Sequence, residues 1–146
     1  MRAITRDEAE AILRGMFAPW VLDLGLTVEA TGPGTAILRM RLQDRVARVG
    51  GIVSGQAIAA LGDTAMVIAL SSALGGFRPV ATVNLNTAFL KAIRGEDALA
   101  EARVLRLGRT LAFAEVAVRG AGGVELAATV SGSFAVPAEQ PAGGLG

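Results

Sequence analysis

The chain is predicted to fold as an α+β domain in which an antiparallel sheet curls around one long helix. Three observations carry that prediction. Residues 57–74 are almost continuously apolar, broken by a single charge at Asp63 and diluted by Gly62, Ser71 and Ser72. After residue 80 the sequence reads only as strands, in four segments separated by short glycine-containing turns. A capped helix and a hairpin precede the apolar run. A helix that is apolar on every side must be wrapped by protein, so the strands have to surround it and something further has to close the open side.

Each element has its own signal. Thr5 with Glu8 three residues on forms a capping box, opening a helix with Ala9, Ile12, Leu13, Met16 and Phe17 on one face. Pro19 ends that helix near Phe17. From Leu22 the pattern turns to strand, LGLTVEA, followed by a turn at 31–34 and the strand TAILRMRL, which reads as a β-hairpin. Residues 43–53 are irregular around Gly50 and Gly51. Ser54 then caps the long helix 54–74, which stops at Gly75 and Gly76. The remaining strands are 80–92, 97–107, 110–119 and 124–136, joined by turns short enough to form an antiparallel meander. One domain spans 1–137, and the Pro/Gly-rich stretch 138–146 reads as a flexible tail.

Composition removes several function classes. There is no Cys and no His among the 146 residues, which excludes disulfides, Cys/His zinc sites, a Cys nucleophile and any His-dependent triad. The 14 Lys and Arg against 13 Asp and Glu leave a formal net charge of +1, with no electrostatic footprint for nucleic acid or an anionic membrane. Asp63 makes the apolar run a poor membrane span, because its carboxylate would lie unpaired in hydrocarbon. The opening residues lack the apolar core of a secretory signal, so a cytoplasmic location is expected. Chemistry falls to carboxylates, hydroxyls, amides, Lys, Arg and backbone dipoles.

Residues 20–137 resemble the hotdog-fold acyl-CoA thioesterases of the phenylacetate-degradation (PaaI-like) type. The stretches that carry the resemblance are GGIVSGQAIAALGDTAM, ATVNLNTAFLKAI, AEARVLRLGRTLAFAEVAV and SGSF, in that order. The resemblance implies a six-stranded antiparallel sheet wrapped around the central helix, and sheets paired through an edge strand into dimers that often pair again into tetramers. It implies no metal and no redox cofactor, with coenzyme A entering as part of the substrate. The family's carboxylate, general base or nucleophile, aligns with Asp63, and its water-holding Ser/Thr position aligns with Thr82. Where the family usually has His-Gly-Gly at the head of the helix this chain has Ser54 and Gly55, and the family's preceding Asn falls about at Arg48.

The same residues have a chemistry of their own. Asp63 has only Ala59, Ala60, Met66 and Val67 as helical neighbours, so nothing on its helix can pair with it, and burial would raise its pKa. Gly55 lies in the first helical turn, where free N–H groups and the positive end of the dipole can hold a developing oxyanion. Eight residues separate the two, about 12 Å along the helix axis, so one chain cannot bring both to a single carbonyl carbon. If both act, each comes from a different subunit. Thr82, Asn84 and Asn86 alternate along one strand and are expected to share a face, holding water, the thioester carbonyl or a pantetheine amide, or forming an amide ladder between subunits. Lys91, Arg94, Arg106 and Arg109 cluster at strand ends and suit the phosphates of coenzyme A, Arg109 foremost. The expected activity is hydrolysis of an acyl-CoA or aroyl-CoA by a homo-oligomer; the competing expectation is a non-catalytic acyl-CoA-binding hotdog protein. A hotdog dehydratase is disfavoured because those relatives use a His.

Overall fold

The computed structural model describes residues 2–138, and the expected tail lies outside them except for Ala138. Helix α1 (Arg6–Met16) starts at Thr5, whose hydroxyl accepts from the Glu8 N–H while the Glu8 carboxylate accepts from the Thr5 N–H. Pro19 does not lead into a strand. It opens a one-turn helix, α2 (Pro19–Leu22), because its fixed φ suits a first helical position. The first strand therefore begins at Leu26, not Leu22. Strands β1 (Leu26–Gly32) and β2 (Thr35–Met40) form the expected hairpin around Pro33 and Gly34. The irregular stretch contains a 3-10 turn (Asp44–Val46) and a minute hairpin, β3 (Ala47–Arg48) with β4 (Ile52–Val53).

The central helix α3 (Gly55–Leu74) ends on Gly75, whose φ of 78° is the left-handed cap that glycine adopts without strain. Strands β5 (Ala81–Phe89), β6 (Ala98–Leu107), β7 (Leu111–Gly120) and β8 (Leu126–Ala135) follow. The six-stranded sheet has the order β1-β2-β6-β7-β8-β5, all pairs antiparallel. The meander thus covers three strands rather than four. β5 does not turn back on β6, because the connecting segment is drawn across the head of α3: buried Ile93 accepts at 3.0 Å from Val53 N–H, and Arg94 bridges to Ile52. β5 is left at the far edge beside β8.

The inner face of the sheet is built largely of small residues, among them Ala98, Ala100, Ala102, Ala112, Ala114 and Ala128, all buried. These let α3 lie close. At Gly62 the approach is tightest, since a Cβ there would stand 2.6 Å from Val130 Cγ2. Only glycine fits. Although α3 is long and apolar enough to cross a membrane, 72% of its most apolar window is buried inside the domain, under its own sheet. The sheet does not cover all of it: Ala59, Ala60, Asp63 and Val67 form a half-buried stripe along the open side.

The two sheet edges are treated differently. At β1, α1 supplies both partners to Val28: Glu10 accepts from its N–H at 2.6 Å and Arg6 donates to its carbonyl at 2.8 Å. At β5 nothing among the described residues plays that part, and eight of its nine residues are exposed. An unguarded edge of this length next to an uncovered apolar stripe is a liability that pairing with a second copy removes. Light scattering at micromolar concentration is therefore expected to find no monomer; a stable monomer would contradict the shared site argued below.

Candidate active site

The head of α3 is one half of the site. Ser54 caps the helix: its Oγ accepts from Ala57 N–H at 3.2 Å, and its carbonyl accepts from Ile58 N–H at 3.1 Å. The N–H groups of Gly55 and Gln56 have no partner among the described residues. Gly55 lines a cleft of about 400 Å³ walled by Ile52, Ile58, Phe89 and Leu90, with Arg48 and Lys91 also lining it, and Gln56 follows it in the same turn. Two free donors at the positive end of a helix, beside two cations, can hold an anionic oxygen. Sequence reasoning named Gly55, Ser54 and Arg48, and the structure gathers them here. It missed Gln56, whose place in the first turn was the available signal, and Phe89, which alternation from Thr82 puts on the outer face and the register shift in β5 brings to the inner one, opposite buried Ala128.

The other half lies two helical turns away. Asp63 is half-buried, and burial raises its pKa above the ordinary value of 3.8. Its carboxylate is not without a partner, as its helical neighbours implied. The Thr82 hydroxyl of β5 donates to it at 2.9 Å, a bond that favours the charged form and offsets part of the burial effect. Gly62 sets this geometry, because its contact with Val130 holds the adjacent turn of α3 against the sheet.

Two expectations fail. Thr82, Asn84 and Asn86 do not share a face. A register shift in β5 between Thr82 and Asn84 sets Thr82 opposite Phe134, whose ring is buried on the inner face, and Asn84 and Asn86 opposite Ser133 and Ser131 on the outer face. Only Thr82 meets Asp63. Nor do the four strand-end cations form one cluster. β6 runs antiparallel to the direction of β5, so Lys91 and Arg94 lie at the end of the sheet near Gly55, while Arg106 and Arg109 lie at the opposite end. Lys91 is paired with Glu125 at 2.6 Å and Arg94 with the Gly50 carbonyl at 2.8 Å. Arg109 is exposed in the β6–β7 turn, far from the cleft of its own chain.

Residues 50–127, which include Gly55, Asp63 and Thr82, match the family described as the thioesterase superfamily. The chain belongs to that superfamily. A candidate esterase from Halobacterium salinarum is 38% identical over 127 residues, 81% of this chain and 82% of its own length. Thioesterase superfamily member 2 from zebra fish superposes with a TM-score of 0.82 at 28% identity, covering 92% of this chain and all of that one. The phenylacetic acid degradation protein PaaI from Thermus thermophilus, solved as a mutant, gives 0.70 at 24% identity over 81% of this chain and 98% of its own, a likeness of fold. These are hotdog structures, and the six-stranded sheet around α3 is the same architecture. Thioester hydrolysis is the general chemistry of the superfamily to which the chain belongs.

Proposed function

We propose that the protein hydrolyses an acyl-CoA or aroyl-CoA thioester to the free acid and coenzyme A, at a site built by two subunits. The observation that carries this reading is the placement of the two half-sites along the bare edge strand. Thr82 and Asp63 lie at the start of β5, and Phe89 and the Gly55 cleft at its end. Pairing β5 with its mate antiparallel across a two-fold axis sets the start of one strand beside the end of the other. Each Asp63 then meets the helix head of the partner copy, twice per dimer.

In this reading Asp63 removes a proton from water while Thr82 Oγ1, whose hydrogen is committed to Asp63, accepts from the same water. The hydroxide adds to the thioester carbonyl carbon, and the oxyanion is held by the N–H groups of Gly55 and Gln56. The C–S bond breaks, and the proton on Asp63 passes to the departing thiolate. Direct attack by Asp63 would instead break the C–S bond, expelling the coenzyme A thiolate, and give an acyl anhydride that water then opens to the acid and the free carboxylate. Arg48, Ser54 and Arg109 are assigned to the substrate's polar groups and phosphates; Asn84 and Asn86, on the outer face, are reassigned to contacts between subunits or dimers. The assembly is a dimer or a tetramer of two dimers, located in the cytoplasm.

Ser54 and Arg48 at positions where the family has His and Asn favour one other reading, an acyl-CoA-binding protein without turnover. Thiol release from a panel of acyl-CoAs, with Asp63→Ala as control, separates them. Release that depends on Asp63 supports hydrolysis; saturable binding without release supports the alternative.

A further inference from the structure

We propose that Phe89 is the specificity-determining residue of this site, a wall beside the reacting carbonyl that selects against acyl groups branched at the α-carbon. The inference rests on the thioesterase reading. Phe89 is the last residue of the edge strand, on the inner face opposite Ala128, and 56% of it is exposed. An exposed aromatic ring on a sheet edge loses the burial that would repay its place there, unless something later covers it. Its ring does not point into the core. It points at Gly55, where a Cβ would stand 3.1 Å from Cζ and 3.3 Å from Cε1.

The ring therefore stands against the backbone that offers the free N–H donors, on the side facing the open edge from which the partner's Asp63 approaches. A thioester whose oxygen reaches those donors has its carbonyl carbon next to the ring. Of the two groups on that carbon, the sulfur is followed by a thin, invariant chain, whereas the α-carbon differs from one substrate to the next. A side chain at position 55 would already crowd the ring, so the ring fills the space beside the helix head that the glycine leaves open. An α-methyl branch has to compete with it for space. Of the other apolar walls Ile58 is buried, Ile52 half-buried and Leu90 exposed, but the three atoms nearest a Cβ on Gly55 all belong to Phe89.

The test compares two acyl groups with the same atoms, n-butyryl-CoA and isobutyryl-CoA, by their ratio of kcat/KM. A ratio is independent of how much enzyme is folded, so a merely structural role would not move it. The wild type is expected to prefer the unbranched substrate. Phe89→Ala is expected to shift the ratio toward isobutyryl-CoA by about tenfold or more, the scale on which one methyl group is discriminated in an apolar pocket. Phe89→Leu should fall between, and it carries the test if light scattering finds that the alanine variant fails to assemble. Phe89→Tyr, which keeps the ring, should retain the wild-type ratio. A wild type indifferent to branching, or a ratio that stays within about twofold while both rates fall together, overturns the proposal and leaves the hydrolase reading intact. A wild type that releases no thiol from either substrate overturns this proposal, and one that releases none from any acyl-CoA or aroyl-CoA overturns both.

Discussion

Asp63→Asn is expected to lower turnover on any acyl-CoA substrate by about 10²-fold or more, the scale of losing a positioned general base. The amide keeps the shape of the carboxylate and still accepts from the Thr82 hydroxyl, so the loss reports chemistry and not packing. Stability should move the other way. Burial lifts the folded-state pKa of Asp63 above its ordinary 3.8, so the charged form costs stability at neutral pH. That cost fades as pH falls through the folded pKa and is gone below the ordinary value. The asparagine variant should accordingly be as stable as the wild type or more so near neutrality, with no advantage in acid. The rate of the wild type should fall toward acid with a midpoint above the ordinary carboxylate value. Because the Thr82 bond lowers this pKa, Thr82→Val should move the midpoint up. Wild-type turnover by Asp63→Asn would remove Asp63 from the mechanism.

The long helix and its caps were legible because their signals are local. Ser54 and Gly75 mark the ends of α3, and an apolar surface on every side announces a wrapped helix whatever surrounds it. The same logic singled out Asp63 as a charge with no partner on its own helix. Its partner, Thr82, is 19 residues away on another element, and alignment to a family proposed its importance without giving the hydrogen bond. What escaped was non-local or irregular. The register shift at residues 82–84 turns Asn84 and Asn86 away from Asp63, and strict two-residue alternation cannot anticipate a shift. The route from β5 to β6 was misread because Gly95 looks like a hairpin turn, while buried Ile93 holds the connection against β4 instead. That single crossing separates Lys91 and Arg94 from Arg106 and Arg109, and it leaves β5 bare. Phe89 escaped for the same reason as the two asparagines, since the shift brings it to the inner face opposite Ala128 where alternation from Thr82 points it outward.

The central claim is that one active site needs Asp63 from one subunit and Gly55 from the other, and mixing two defective variants tests it most directly. Asp63→Ala lacks the carboxylate. Gly55→Pro lacks the backbone donor, and proline suits the first helical position. A Cβ at this position would stand 3.1 Å from Phe89 Cζ, so the exposed ring has to give outward by a few tenths of an ångström. Each variant alone should be nearly inactive. After joint unfolding and refolding in equal amounts, half the dimers should be mixed, and each mixed dimer carries one intact site and one doubly defective site. Activity should then return to about a quarter of wild type. If subunit exchange is verified and activity stays at the level of the separate variants, the two residues do not meet across the β5 edge, and the shared site is contradicted.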